Sequence, residues 1–421
     1  MVANTDIKFF VHTNNNAPQL QNAFGSMINV LDAALINGIQ VGTVSSMTAS
    51  GKIVTAVFGT AHNLMPHQVI KITGANQAEY NVAEAKVASV PNATTITFEL
   101  PEIPDTTIAT GTISCSLPSL GWEKPFSSSN PSGGGKAAYR SKNLLLSSRP
   151  FLRVVDEQDP VQQPTYAKFA KVGIVEDMTD IDTMLGVQAP FDAAAPNKNW
   201  VGSGSGNTAY NGWAKWIYTG TADNFSAETG SPPAGPRNWI LVGTKDYFYI
   251  FPAQLNTAAA NAVAYGFGAF KSLINADTSN TFLSATLNYT TQSTSYFRGQ
   301  WTGLGDNQQP AKLIVQRGYS QVAQYTVGYA TSLALSNAAN MYSGGANYIG
   351  AFNLTNVAPF APVVFYETVL RGEFLGIYWL FQSRPFNDRQ IIEQNDGAYM
   401  AVNIMQSSGT SGQIIVKIGG S

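Results

Sequence analysis

The chain has 421 residues and a formal net charge of −2, and this length corresponds to two or three domains of ~100–200 residues. Charged residues make up only 12% of it, about half of the ~25% found in ordinary globular chains. The sequence therefore lacks the dense basic surface that nucleic-acid binding requires, and no polybasic run predicts a membrane anchor. A surface of uncharged polar side chains favours wide, permanent protein contacts, in which buried ions would be costly.

The sequence carries one cysteine and no targeting signal. Cys115 cannot form an intrachain disulfide, and its alternating surroundings at 112–117 predict a packed or semi-buried small side chain on a strand rather than a reactive thiol. The N-terminus lacks the basic start and apolar core of a signal peptide, and no run reaches the ~18 apolar residues of a membrane span. We therefore expect a protein that stays in a cytoplasm-like compartment until it is assembled.

The first predicted element is a helix in an N-terminal arm, residues 1–40. Asn16 is the expected N-cap, Pro18 lies near the first turn and Gly38 is the expected stop, so the helix is predicted over 17–37. Apolar side chains recur there every three or four residues and form one stripe, which consists of Leu20, Phe24, Ile28, Leu31 and Leu35. The stripe predicts a helix that is docked on a neighbouring domain. The alternative is that Leu20, Phe24, Ile28 and Leu31 pack against a partner subunit.

Residues 41–118 predict a small β-sandwich or barrel. Short alternating runs are separated by turn formers, a pattern typical of such modules; the runs are 40–44, 52–58, 69–72, 85–90, 94–100 and 111–117.

The remainder, 119–421, predicts a large β-rich domain with a few short helices. Aromatic and β-branched runs alternate with loops rich in Gly, Ser, Asn and Pro. Two apolar runs flank a turn within 239–251 and predict a hairpin. Further buried strands are predicted at 377–381 and 414–418. The fold class is therefore mainly β, with an N-terminal helix, a small module and a large domain.

The three histidines give no catalytic or metal site. His12, His62 and His67 all precede the large domain, so no Ser-His-Asp or Cys-His triad can form within it. His62 and His67 have no cysteine nearby to complete a tetrahedral zinc site. A role in a turn is therefore predicted for this pair.

An acidic cluster is the best candidate for chemistry, because close carboxylates could bind Ca²⁺ or hydrolyse a glycoside. It consists of Glu176, Asp177, Asp180 and Asp182. The alternation of Asp, Asn and Gly found in calcium loops is missing, so a solvated turn is the favoured interpretation. We predict no catalytic, cofactor-binding or metal-ligating residue.

Two further segments have a functional alternative. The glycine-rich stretch 202–206 lacks the Lys-Ser/Thr of a phosphate-binding loop, so a surface loop is favoured. Trp213, Trp216 and Tyr218 could stack on sugar rings, but such residues more often form core or subunit contacts.

The ordered motifs of the chain resemble a family of tailed-bacteriophage virion proteins. The first part resembles a small β module of phage tail and particle proteins; it comprises Ala61-His62-Asn63-Leu64, Val69-Ile70-Lys71-Ile72-Thr73-Gly74-Ala75, Glu79-Tyr80-Asn81 and the strand at 94–98. The sequence departs from that module at turns, where Asn63, Pro66-His67 and Val82 replace the usual residues. Further motifs of such proteins follow at 121–127, 136–141, 151–154, 178–183 and 239–251, and from Leu370-Arg371-Gly372 to Arg384-Pro385-Phe386.

This resemblance implies a non-enzymatic structural component of a virion, in the tail, at the baseplate or at a fibre attachment. A neck or collar position is the alternative. The implied partners are other virion proteins and further copies of the chain in a symmetric homo-oligomer, because phage tails are ring assemblies. Assembly is expected in the host cytoplasm, without cofactor, nucleic acid or membrane.

Two hypotheses from other classes stay open. One is recognition of a host-surface glycan through Trp213, Trp216 and Tyr218. The other is glycan hydrolysis by carboxylates such as Asp180 and Asp182.

Overall fold

The computed structural model describes residues 4–158, 163–190, 214–220, 231–257, 262–287, 311–322, 326–332, 360–380, 384–407 and 410–420. Strands make up 53% of the structure and helices 6%, which confirms the predicted mainly β class. The chain begins with β1 (Lys8–Val11) and a short helix α1 (Ser26–Leu31), which continues as a π-helix over Asp32–Asn37. None of the helices in the described ranges is long and apolar enough to cross a bilayer.

Seven strands between residues 39 and 117 form a small barrel. They are β2 (Ile39–Ser50), β3 (Ile53–Phe58), β4 (Val69–Ala75), β5 (Ala85–Asn92), β6 (Thr95–Glu99), β7 (Ile108–Ala109) and β8 (Gly111–Leu117). Six of them close an antiparallel ring in the order β2, β3, β6, β5, β4, β8 and back to β2, while β7 pairs with β2. All six predicted runs are strands, and the closed ring joins its own sheet edges. The division of the chain into three domains stays a prediction.

Burial of Cys115 inside this barrel is confirmed. Its side chain is fully buried on β8, between the equally inward-facing Ile113 and Leu117. Burial raises the pKa of the Cys115 thiol to about 12, because a thiolate would lose its hydration there.

We therefore expect Cys115 to be inert toward a soluble disulfide reagent while the protein is folded. The thiolate is the reactive species, and both its formation and its access are suppressed. Modification by 5,5′-dithiobis(2-nitrobenzoic acid) should be at least roughly a hundredfold slower than in urea-unfolded protein. Equal rates in the two states would contradict this.

Eighteen further strands extend the body of the protein. They are β9 (Glu123–Ser129), β10 (Gly134–Arg140), β11 (Phe151–Glu157), β12 (Phe169–Met178), β13 (Met184–Ala189), β14 (Ala214–Ile217), β15 (Trp239–Gly243), β16 (Tyr247–Pro252), β17 (Tyr265–Ala269), β18 (Lys271–Ser272), β19 (Thr281–Leu287), β20 (Ala311–Val315), β21 (Thr326–Ser332), β22 (Phe360–Tyr366), β23 (Leu370–Leu380), β24 (Ile391–Gln394), β25 (Gly397–Ser407) and β26 (Thr410–Gly420). All their pairings are antiparallel. One row runs β9, β10, β11, β12, β14, β19, β20, β21, β22, β23, β26, β25 and β24. A branch at β19 carries β17, β16, β15 and β1.

The hairpin predicted at 239–251 is confirmed as β15 and β16. Its turn is closed by the Thr244 N–H, which donates to the Tyr247 carbonyl at 2.8 Å. The strands predicted at 377–381 and 414–418 fall on β23, as far as Leu380, and on β26.

The predicted N-terminal helix is wrong in its first half. Residues 17–25 are not helical, and α1 begins only at Ser26. Leu20 instead forms an isolated antiparallel bridge with Arg237, and the Trp239 indole N–H donates to the Pro18 carbonyl at 2.9 Å. These contacts with the body outweigh the local helical pattern, because they satisfy backbone groups and bury apolar surface at once. Gly38 ends the helical segment as predicted, with a φ of 76°.

A carboxylate on the neighbouring sheet caps the N-terminus of α1. Gly25, at the N-cap with a φ of 87°, has no side chain to bond the first N–H groups. Asp156 on β11 replaces it, accepting from the Met27 N–H at 2.9 Å and from the Tyr218 hydroxyl at 2.8 Å. Asp156 is fully buried, and burial raises the pKa of its carboxyl to about 6 despite these donors.

This buried carboxyl predicts a pH dependence of stability. Its pKa is about 6 in the folded protein against 3.8 ordinarily, so the folded state binds the proton more tightly than the unfolded state. The protonated Asp156 carboxyl therefore stabilises the folded state relative to the ionised one. This stabilisation is fully present below about pH 4, and about 3 kcal/mol of it is lost as the pH rises through about 6. We expect the free energy of unfolding of wild type, measured in urea, to fall relative to that of Asp156→Asn as the pH rises through this window. Parallel pH curves for the two proteins would contradict the prediction.

The barrel is attached to the body through the N-terminal arm. The side-chain amides of Asn14 and Gln68 bond each other at 2.9 and 3.0 Å, and Gln68 also donates to the Phe9 carbonyl at 3.1 Å. Lys8 on β1 forms an ion pair with Glu84 of the barrel at 2.7 Å. Barrel and body residues also share one hydrophobic core, so the barrel is held by packing as well as by polar contacts.

Candidate functional site

The apolar stripe of the predicted helix lies mostly inside the chain. Leu20 and Leu31 are fully buried in the main core, whereas Phe24 and Ile28 are partly exposed. Leu20 and Leu31 are therefore not available to a partner subunit, which corrects that alternative for these two residues. The interpretation of a helix docked on its own protein agrees with this burial.

The tryptophan proposed to stack on sugars is also a core residue. Trp216 is fully buried on β14, stacks on Tyr265 with ring centres 6.2 Å apart, and donates its indole N–H to the Ser284 carbonyl at 2.8 Å. Tyr218 is fully buried as well, against Asp156. The structure therefore corrects the sugar-contact alternative for Trp216 and Tyr218, because neither ring is accessible. Trp213 lies outside the described residues, as does the glycine-rich segment 202–206.

The acidic cluster lies at the end of β12 and in the tight connection between β12 and β13. Asp180 accepts the N–H groups of Asp182 and Thr183 at 2.8 and 2.9 Å. Asp182 forms ion pairs with Lys136 at 2.8 Å and Arg153 at 2.7 Å. The carboxylates thus hold a turn and tie it to the neighbouring strands.

The pKa shifts of Asp180 and Asp182 do not favour a general-acid role for either carboxyl. Hydrogen bonds from Thr183 and Asp182 lower the pKa of Asp180. Burial acts to raise the pKa of Asp182, but Lys136 and Arg153 outweigh it and hold that pKa below its usual value. A catalytic general acid needs a raised pKa, and neither carboxyl has one.

The two barrel histidines, His62 and His67, bond neighbouring segments of the fold. The Nδ1 of His62 accepts from the Leu64 N–H at 2.9 Å, so its Nε2 carries the proton and lies 3.2 Å from the Asn92 carbonyl. His67 contacts Glu393 of the body at 3.0 Å. Among the described residues, no group of three or more His, Cys, Asp or Glu side chains could hold a metal ion.

A more distinctive arrangement lies where three connections of the body meet. They are the β18–β19 connection at 273–280, the segment after β20 at 316–322, and the β22–β23 turn at 367–369. We call these three segments, with the adjoining Tyr366 and Leu370, the loop platform.

Arg371, the second residue of β23, is buried beneath the three segments and bonds a residue of each. Its guanidinium bonds both carboxylate oxygens of Asp277 at 2.9 and 3.0 Å. It also donates to the Arg317 carbonyl at 3.1 Å and forms an ion pair with Glu367. The side chains of Arg371, Asp277 and Glu367 are 0%, 2% and 4% exposed. A planar guanidinium with five donors suits such a three-way contact.

The electrostatics of the cluster favour the paired state of Asp277. Burial acts to raise its pKa, but hydrogen bonds from Arg371 and Ser272 outweigh burial and lower it. Burial raises the pKa of Glu367 even though Arg371 lies beside it. The pKa shifts therefore favour the ionised form of Asp277 but not that of Glu367.

The backbone of the platform is conformationally constrained. Ala276 and Gln321 have φ values of 57° and 63°, a region that side chains other than glycine rarely adopt. The side chain of Gln321 links its segment to the 273–280 segment. Its amide oxygen accepts from the Thr278 N–H at 3.1 Å, and its amide nitrogen donates to Asp277 at 3.0 Å. Strain of this kind persists only where surrounding contacts enforce it.

Large apolar side chains are exposed on all three segments. The six residues, each 38–53% exposed, are Leu273, Tyr319, Val322, Tyr366, Val369 and Leu370. They form half of the twelve exposed large hydrophobic side chains in the described part of the chain.

Sequence reasoning predicted no residue of this site. Arg371 lies in the Leu370-Arg371-Gly372 motif of the phage resemblance. Asp277 and Gln321 lie in loops without apolar periodicity, which sequence patterns assign only to the surface. The acidic cluster reaches the site as well, because Glu176 pairs with Arg317.

A polar cleft is one of the concave features of the described residues. It has a volume of about 680 Å³ and lies between β1, the barrel and the loops after β10 and β15. Its charged lining includes Lys8, Glu84, Lys142 and Asp246. Lys8 is paired with Glu84, and Asp246 accepts from Asn143 at 2.8 Å, so these groups mainly join segments of the fold.

The comparisons with known proteins find little. No protein-family model and no curated protein matches this chain. A solved structure named Phage phi92 endosialidase is similar to it at 10% sequence identity and a TM-score of 0.16. The matched region covers 90% of this chain and 51% of that one, so this chain spans about half the length of that protein. A TM-score this low does not establish a shared fold, and the likeness assigns no activity.

Proposed function

We propose that this chain is a structural component of a tailed-phage particle that acts through contacts with other particle proteins. The loop platform carries the proposal. A chain with only 12% charged residues exposes six large apolar side chains on three connections that Arg371 links to one another, and exposed apolar side chains on a preorganised backbone favour protein binding. The ordered sequence motifs described above supply the phage setting.

The tail, the baseplate or a fibre attachment is the proposed location, with the neck or collar as the alternative. Multiple symmetric copies are part of the proposal, because particle proteins of this kind form rings. The partners are then other virion proteins and neighbouring copies.

The test is to find the chain in purified particles of the phage that encodes it. Mass spectrometry of gradient-purified particles should detect it at a fixed multiple-copy ratio to the major tail protein, and gold-labelled antibody should mark one region of the particle. Absence from particles that contain all other tail proteins would overturn the proposal. Label confined to exposed tips that contact the host would instead favour recognition.

A further inference from the structure

We infer that copies of this chain join head to tail through the two ends of the strand row, so that the edge of β9 in one copy pairs with the edge of β24 in the next. The inference deepens the proposed function, on which it rests for its setting. A contact between two different surfaces of the same chain can close copies into a ring.

The two ends of the row are open strand edges. In the described part of the chain, β9 pairs with β10 alone and β24 pairs with β25 alone. An edge strand presents unpaired N–H and C=O groups, which form a template for one more strand. The occupant that such an edge selects is therefore an extended backbone.

The register of β9 shows which backbone groups face away from the sheet. The Asn130 N–H donates to the Gly134 carbonyl at 2.9 Å, and hydrogen-bonded pairs in an antiparallel ladder recur at every second residue. Alternation from this pair leaves the N–H and C=O groups of Ser127 and Ser129 pointing outward. None of these four groups has a hydrogen-bond partner among the described residues. Pro125, the next outward residue, has no N–H, so it ends the open stretch.

The outer edge of β24 has the same pattern. The Ala401 N–H donates to the Gln390 carbonyl at 3.0 Å, and alternation from this pair leaves Ile391 and Glu393 pointing outward. Their backbone groups likewise have no partner in the ranges that the structure describes.

The two edges match in number and spacing. Each has two outward residues, two positions apart. Antiparallel pairing of Ser127 with Glu393, and of Ser129 with Ile391, would satisfy all eight backbone groups in four hydrogen bonds. A second copy therefore supplies a strand that fits the β9 edge, and each copy keeps its other edge for the next neighbour.

A groove beside β9 can receive the side chains of the added strand. It has a volume of about 670 Å³ and is lined by the exposed serines of β9, by two lysines and by two half-buried apolar side chains; these are Lys124, Lys136, Phe24 and Ile28. Phe24 and Ile28 thereby keep the partner contact that the sequence offered as an alternative.

Charge favours β24 of another copy in this groove. Glu393 on β24 is 75% exposed and contacts His67. In the antiparallel pairing its side chain lies on the same face as that of Ser127, which lines the groove with the lysines. Opposite charges across a contact favour this pairing, whereas two β9 edges would bring lysines together.

Disulfide trapping between full-length copies tests the inference. Ser127→Cys and Glu393→Cys are made as separate proteins, and the buried Cys115 stays as it is. Residues opposite each other in a bonded antiparallel pair have Cα atoms about 5.5 Å apart, which suits a disulfide. Mild oxidation of the mixture should trap linked dimers in more than about tenfold the yield of either variant alone, because pairing raises the effective concentration of the two thiols.

Two matched controls separate strand pairing from random collision. Ser128→Cys mixed with Glu393→Cys should trap no more than single variants, because the exposed Ser128 side chain lies on the opposite face of β9. In the Ser127→Cys protein, Ser129→Pro should lower trapping because it removes an outward N–H without taking a ladder bond. Ser129→Ala keeps that N–H and should leave trapping unchanged. Circular dichroism should show that each variant folds, and the Ser128→Cys comparison decides alone if Ser129→Pro does not.

Three results would overturn the inference. The first is equal trapping in the Ser127→Cys and Ser128→Cys mixtures. The second is trapping of Ser127→Cys with itself in the same yield as with Glu393→Cys, which would indicate a symmetric contact. The third is a wild-type chain present in particles as a single copy, which would leave its role as a particle component standing. Absence of the chain from particles would instead overturn the proposed function, and trapping in the purified protein would still decide whether the two edges pair.

Discussion

Replacing Arg371 by methionine is expected to cost about 3–5 kcal/mol of unfolding free energy, as is usual when one member of a buried ion pair is removed. Methionine fills much of the arginine volume, but it leaves the Asp277 carboxylate buried without its bidentate partner. It also leaves the carbonyl oxygen of Arg317 without its donor from Arg371. Urea unfolding monitored by tryptophan fluorescence measures the loss.

The matched control is Lys271→Met. Lys271 pairs with Glu373, which lies two residues after Arg371 on β23, at 3.2 Å. The Lys271 side chain is 60% exposed. Exposed ion pairs contribute below about 1 kcal/mol, so this variant should be nearly as stable as wild type. Equal losses in Arg371→Met and Lys271→Met would show that Arg371 does not hold the platform.

Replacing Trp216 by alanine is expected to lower the free energy of unfolding by about 3–5 kcal/mol, the usual cost of deleting a buried large aromatic side chain. The ring packs against Tyr265 and, edge to face, against Phe248 at 6.0 Å. Its removal also takes away the indole N–H that donates to the buried Ser284 carbonyl. Thermal and urea unfolding both measure the effect.

Two further variants separate packing from surface recognition. Trp216→Phe keeps an aromatic ring in the core and should lose less stability than Trp216→Ala. Leu145→Ala, at an exposed position, should change stability by less than about 0.5 kcal/mol. A Trp216→Ala protein with wild-type stability and reduced binding to a host polysaccharide would contradict the core role and restore the glycan hypothesis.

The sequence by itself determined the β character of the chain. Six barrel strands and the hairpin at 239–251 were recognisable because side chains on a strand alternate between two faces, and this alternation is visible in a few consecutive residues. The same local signal located Cys115 in the barrel interior. Gly38 was recognisable as a helix stop for a similar reason, because few other residues adopt its backbone conformation easily.

Only the tertiary structure decided the extent of the N-terminal helix and the existence of the loop platform. The helical pattern at 17–25 is overridden by Arg237 and Trp239, which are more than 200 residues away in the sequence. Asp277 and Arg371 are separated by 94 positions, and neither residue carries a local mark of the other. Apolar periodicity reports which side of one element faces the core, but it contains no information on which distant elements meet. A surface made from the ends of three connections is therefore fixed by long-range packing and by the buried ions that hold it.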